Sequence, residues 1–190
     1  MKLKDLKEFN YEQVGKIETK MWIAYYRHNF LRLFFLLIHL IREQFGMNYF
    51  KAFIAGYYSA SAAIIFRLGR GKENKEKIVK NLINIHKILS DNALEKFDYV
   101  KAGELEFEWW MIDRYPERYQ VTRRDALKNS MACVFNVESN KLGEYANYRA
   151  EAMELQDTAE AENKKEADWS KVQSLLILSY KSLYETLHQV

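Results

Sequence analysis

The chain has 190 residues, enough for one domain whose core needs neither disulfides nor a structural metal. It is 48% hydrophobic and 29% charged, which excludes a disordered or fibrous chain, and its net charge of +3 is too even for a strong binder of nucleic-acid phosphates. Seven glycines and one proline, Pro116, exclude a turn-rich β fold and point to long helices with few connections.

Residues 1–12 are polar and show no period, and they contain no apolar run of the signal-peptide kind. A single cysteine, Cys133, lies in an apolar helical stretch and reads as a buried small side chain, a usage that suits a reducing compartment. A cytoplasmic protein is expected. The first helix runs from residue 11 or 14 to 45. Glu18, Trp22, Tyr25, Asn29, Leu33, Leu36, Leu40 and Glu43 follow each other at steps of three and four, as one continuous stripe. Gly46 is placed to end it. The second helix covers 48–68, where Ala52, Gly56, Ala60 and Ala63 make a small-residue stripe that lets another helix backbone approach. The third spans 73–89, with Ile78, Leu82, Ile85 and Leu89 inward and Ser90 or Asp91 capping the next.

The fourth helix covers 92–114 and stops before Pro116. The fifth runs over 122–137 with Thr122 as its cap. The sixth, 140–162, has Ser139 as cap candidate and a less apolar stripe of Leu142, Tyr145, Arg149, Ala152, Gln156 and Ala159. A charged linker at 161–167 leads to the seventh, 168–188, with Trp169, Val172, Leu176, Leu183 and Leu187 inward. These elements predict an all-α, single-domain, mainly antiparallel bundle of six or seven helices over residues 1–190, with the first, second and fourth at its centre.

Two apolar runs bear on membranes. Residues 30–41 are too short to span a bilayer. Residues 47–66 reach the length, but they hold Lys51, tyrosines and several Ser and Ala, and mean hydropathy over the chain is −0.42. This run reads as a buried core helix and not as a span; a membrane-surface role for it is a weaker alternative. Charge is divided unevenly: residues 1–90 hold 16 Lys and Arg against 7 Asp and Glu, and residues 91–190 hold 13 against 19. The simplest reading is that the halves pack together and complement each other.

Chemistry concentrates in the fourth helix. Glu104, Glu106, Glu108 and Asp113 sit there among Trp109, Trp110 and other apolar residues that point almost all round the helix, the pattern of a buried central helix. Glu106 and Asp113 are seven apart and share a face; Glu104 and Glu108, four apart, share another with Lys101. A buried carboxylate needs a partner, a metal or a proton. Arg27, Arg32, Arg42 and Arg114 are the partners anticipated for these groups and for Glu18 and Glu43. The candidate ligand-binding residues are Glu18, Trp22, Tyr26, Glu104, Glu106, Glu108, Asp113 and Arg114, where the fourth helix meets the first.

Iron or manganese is the implied ion if these carboxylates hold one, by analogy with ferritin-like helical bundles. Those place a Glu on two helices and Glu-x-x-His on two others. Here that motif occurs once, at Glu185 and His188, next to the C-terminus, and His39 with Glu43 offers one further i,i+4 pair. One cysteine and scattered histidines do not suggest zinc, and there is no Walker loop or dinucleotide fingerprint. The basic, glycine-containing segment at 67–72 reads as a solvated turn that could hold a phosphate. With no nucleophile or acid–base motif in view, the expected function is a non-enzymatic protein that binds a small ligand or a partner and forms a homo-oligomer, a homodimer in the simplest case. It carries no resident cofactor and has no nucleic-acid partner. A carboxylate-site metalloprotein or oxidoreductase is the alternative.

Overall fold

Polar residues with short side chains open most of the helices. In the computed structural model, which describes residues 3–69, 74–162 and 167–189, Asn10, Asn29, Asn48, Asn74, Asp98, Thr122 and Asp168 each accept a backbone N–H from the first turn that follows. Such caps satisfy donors that the helix itself leaves unpaired. Eight α-helices result among the described residues: α1 Tyr11–Tyr26, α2 Phe30–Phe45, α3 Tyr49–Gly69, α4 Lys75–Asn92, α5 Tyr99–Arg114, α6 Arg123–Phe135, α7 Gly143–Ala161 and α8 Trp169–His188. Two 3-10 turns, Pro116–Arg118 and Ser139–Leu142, precede α6 and α7. The protein is all-α.

Three boundaries differ from the sequence reading. The first predicted helix is two. Arg27 caps α1, His28 takes a left-handed conformation with φ of 55°, and Asn29 caps α2, so the chain turns back on itself. The apolar stripe kept its phase across this break, so periodicity alone could not show it. Ser90 and Asp91 do not cap the next helix. They belong to α4, and α5 begins only after Asp98. The Ser90 hydroxyl instead donates to Phe97 O at 3.0 Å, closing the α4–α5 connection. Finally, Ser139 opens a 3-10 turn and not the α-helix itself. The segment at 67–72 and the linker at 161–167 lie partly outside the described residues.

Each helix packs chiefly on its two neighbours in sequence, and α8 closes on α1. The eight therefore form a ring, not a bundle around a central helix. The expectation that the first, second and fourth predicted helices form the centre fails for this reason. Short connections make neighbours antiparallel, which gathers the C-terminal ends of α2, α4, α6 and α8 at one end of the ring. Residues 4–9 lie across that end. Lys4 N–H donates to Asn92 O at 2.9 Å and packs beside Gly46; Leu6 is buried; Phe9 meets Phe135, Tyr180 and Tyr184; Glu8 bonds His188.

The helices approach closely where a side chain is missing. A Cβ on Gly56 would lie 2.7 Å from Ile38 Cγ1 of α2, and one on Gly103 would lie 2.7 Å from the Ile83 backbone N of α4. Of the small-residue stripe of the second predicted helix, Ala52, Gly56 and Ala60 are buried and Ala63 is half-buried; Ala55 and Ala62 beside it are buried too. The opposite face of that helix is not buried. Phe50, Phe53, Tyr57 and Leu68 are exposed, so α3 is not a wholly buried core helix.

Candidate functional site

A ring of eight helices leaves space on its axis that no helix occupies. Side chains reach inward to fill it and leave a cavity of about 300 Å³. All eight helices contribute to its wall, for example Trp22 from α1, Leu37 from α2, Ala63 from α3, His86 from α4, Glu106 from α5, Met131 from α6, Arg149 from α7 and Tyr180 from α8. An apolar cavity half that size accepts a benzene-sized ligand. The lining is mostly aliphatic and aromatic, with Tyr25, Tyr26, Phe45, Phe66, Trp109, Trp110 and Tyr145 beside Trp22 and Tyr180.

Three carboxylates reach this wall, and each has a defined partner. Glu18, on the inner face of α1, is almost wholly buried. Both terminal nitrogens of Arg149 donate to it, Nη1 to Oε2 at 3.0 Å, and Trp22 Nε1 donates to Oε1 at 3.3 Å. The Arg149 guanidinium lies 5.8 Å from the Trp22 ring and 6.0 Å from the Tyr180 ring. Burial and the neighbouring Glu18 charge hold the Tyr180 phenol well above its usual range, and burial pushes Tyr145 up to about 12, so both phenols remain neutral. Glu106 Oε2 lies 2.7 Å from His86 Nε2. A carboxylate oxygen accepts, so His86 donates from Nε2. His86 Nδ1 is buried with no hydrogen-bond partner among the described residues.

Asp113, one heptad along α5 from Glu106, sits 2.8 Å from Arg123 Nε, while Arg123 Nη2 also reaches Asp157 at 2.7 Å. Burial raises Asp113 to about 6; Arg123 opposes this but shares its charge with Asp157.

Glu18, Trp22, Tyr26, Glu106 and Asp113 all line the cavity, although α1 and α5 do not pack on each other as the sequence reading had them and instead face the same space from different parts of the ring. Glu104 and Glu108 are not among them. They occupy the exposed face of α5, with Lys101. The helix looked apolar all round because its flanks pack on α4 and α6 and its inner face lines the cavity, which leaves one narrow strip for solvent. Arg114 does not line the cavity either. Its Nη1 donates to Phe66 O at 2.6 Å and its guanidinium stacks 3.5 Å over the Phe66 ring, pinning α5 to α3.

The arginines anticipated as carboxylate partners are likewise not those that hold Glu18 and Asp113. Arg149 and Arg123 do so, and they lie 131 and 10 residues away in sequence. Arg149 was legible as a charged residue in the stripe of the sixth predicted helix, all six of whose positions, from Leu142 in the 3-10 turn to Ala159 in α7, are buried. His86 gave no such signal beyond its inward register with Leu82 and Leu89. Cys133 is half-buried; burial pushes its thiol up, away from the reactive form.

Among the described residues no three His, Cys, Asp or Glu side chains gather as an ion requires. Glu18 is occupied by Arg149. His188 bonds Tyr184 O and Glu8 at the end of the ring, far along the chain from the α5 carboxylates. No known protein family matches the chain, and no curated protein or solved structure is similar to it.

Proposed function

We propose that this protein binds a small, largely apolar molecule bearing a protonated amine inside its helical ring, and that binding is its task. The observation that carries the reading is the wall of the cavity: three carboxylates and one guanidinium set among indole and phenol rings. Apolar pockets with a few convergent polar groups are the usual form of small-ligand sites, and such sites occur between the helices of bundles. The sign of the polar group follows from the pairing. Arg149 is spent on Glu18, and Arg123 on Asp113 and Asp157. Glu106 engages one oxygen with His86 and keeps 25% of its side-chain surface open. A cationic donor placed there gains a charge-assisted hydrogen bond together with the faces of nearby indoles.

Titration by tryptophan fluorescence tests this, since Trp22, Trp109 and Trp110 line the cavity. The probes are phenethylamine, phenylacetate and phenethyl alcohol, which share a skeleton and differ in charge. Saturable binding with the amine preferred is the expected result, and Glu106→Gln should weaken it about tenfold, as losing one hydrogen bond to a charged group does. Preference for the carboxylate, or no saturable binding of any of the three, would rule the reading out.

A further inference from the structure

The outer surface of α2 and α3 is apolar where nothing covers it. Leu31 and Phe35 on α2, four apart, face outward, with Leu31 71% exposed. On α3 the outward row is Phe50, Phe53, Tyr57 and Leu68, with Phe50 74% exposed. The Phe34 ring meets Phe35 at 5.5 Å and Phe53 at 5.4 Å, so the rows of the two helices join into one surface. Beyond the Phe34–Phe53 contact that joins the two helices, the exposed parts of these side chains add nothing to the packing of the ring. The inner face of α2 already lines the cavity with Leu33, Leu37 and Leu40, and α3 packs on its neighbours through small residues. Contiguous exposed apolar surface on this scale marks a place where something docks.

The charge of the same hairpin says what docks. Residues 27–69 contain five Lys and Arg, at 27, 32, 42, 51 and 67, and one acid, Glu43. Arg27 and Arg32 are exposed at the turn from which α2 starts. Arg67, near the end of α3, reaches the same turn, where its Nε donates to His28 Nε2 at 3.3 Å. Basic groups therefore collect beside the aromatic face. A second copy presenting this face would bring like charges together, whereas an anionic bilayer meets both features at once. Apolar side chains enter the headgroup boundary, and cations gather the acidic lipids. We infer that the α2–α3 face is a docking surface for membranes that carry anionic head groups. The contact is superficial: α3 is long and apolar enough to cross a bilayer by length and composition, but its small-residue face is committed to the ring.

Vesicle flotation of the whole protein decides the matter. The vesicles are phosphatidylcholine alone or phosphatidylcholine mixed with phosphatidylglycerol. The protein should float with the anionic vesicles at low salt, stay behind with the neutral ones, and be released by high salt. The pair Phe50→Ser and Phe53→Ser should cut recovery at least tenfold with the helical circular dichroism and melting temperature retained. Arg32→Glu, a second and independent surface change, should weaken it as well. Three results would overturn the inference: no flotation with either vesicle; recovery that is equal for both vesicles and resists salt and alkaline washing, which means insertion of α3; or a dimer by sedimentation that the Phe50 and Phe53 changes dissolve, with no vesicle binding.

Discussion

Asp113 shows how a single side chain reports its surroundings. Its partner Arg123 is divided between two carboxylates, so burial wins and the carboxyl keeps its proton to about pH 6 instead of the usual 3.8. The folded chain therefore binds one proton more tightly than the unfolded chain. This group's contribution to stability is present below pH 4 and is lost as pH rises through about 6. Asp113→Asn should thus gain on the wild type across that window by on the order of 1–3 kcal/mol, with a constant difference on either side. Urea unfolding at a series of pH values measures it, and a difference independent of pH would contradict the assignment. Residue type alone could not single out Asp113. Glu104, Glu106, Glu108 and Asp113 are equivalent as letters. Rotation around α5 separates the pair that lines the cavity from the pair in solvent, and the seven-residue spacing of Glu106 and Asp113 was the visible sign of that separation.

Helices were the most legible level. Their inward stripes come from local spacing: Ile78, Leu82, Ile85 and Leu89 are all buried, as are Val172, Leu176 and Leu183. Gly46 ends α2 in the left-handed conformation, and Thr122 caps α6. The misread points are those where two signals conflict. At 27–29 the stripe continues although an Asn cap and a left-handed His turn the chain back. At 90–98 the expected caps, Ser90 and Asp91, remain inside α4; Phe97 packs into the core and Asp98, which the local pattern did not single out, caps α5. The contact between α4 and α5 gives the prediction at this scale. Gly103→Ala places a methyl group 2.7 Å from the Ile83 backbone N, which cannot move aside as a flexible side chain can. It should cost about 1–3 kcal/mol in chemical denaturation, as overpacking does. Gly143→Ala, with no atom within 4 Å of the new Cβ, should not destabilise and serves as the control.

At the scale of the whole molecule, the ring explains the aromatic content. With 15% Phe, Trp and Tyr, the chain supplies side chains long enough to reach inward from eight helices around an axis that no helix fills. Ion pairs cross between the basic and the acidic half of the chain, Lys7 with Glu95 in the sense of the two net charges and Glu18 with Arg149 against it. Glu18 and Arg149 join α1 to α7, which are not neighbours in the ring, across 131 residues of sequence. Removing one partner strands a buried charge. Arg149→Met should therefore lose about 3–5 kcal/mol, and the double change with Glu18→Gln should recover much of it. Thermal and urea unfolding of the three variants would show this, and additive losses would mean that the two groups do not act as a pair.

The sequence by itself determined that the chain is helical, where most helices lie and which side of each turns inward, because these properties depend on neighbours within a few turns. Five of the eight candidate residues, Glu18, Trp22, Tyr26, Glu106 and Asp113, line the cavity, since α1 and α5 carry these groups on their inner faces. Only the tertiary structure decided that the helices close into a ring, that the ring keeps a cavity, and that Arg149, Arg123 and His86 answer the carboxylates. Those pairings join residues from separate helices, and no local period encodes which helix stands opposite which. The apolar face of α2 and α3 belongs to the same class. A run rich in phenylalanine reads as core until the packing shows which of its sides the protein leaves open.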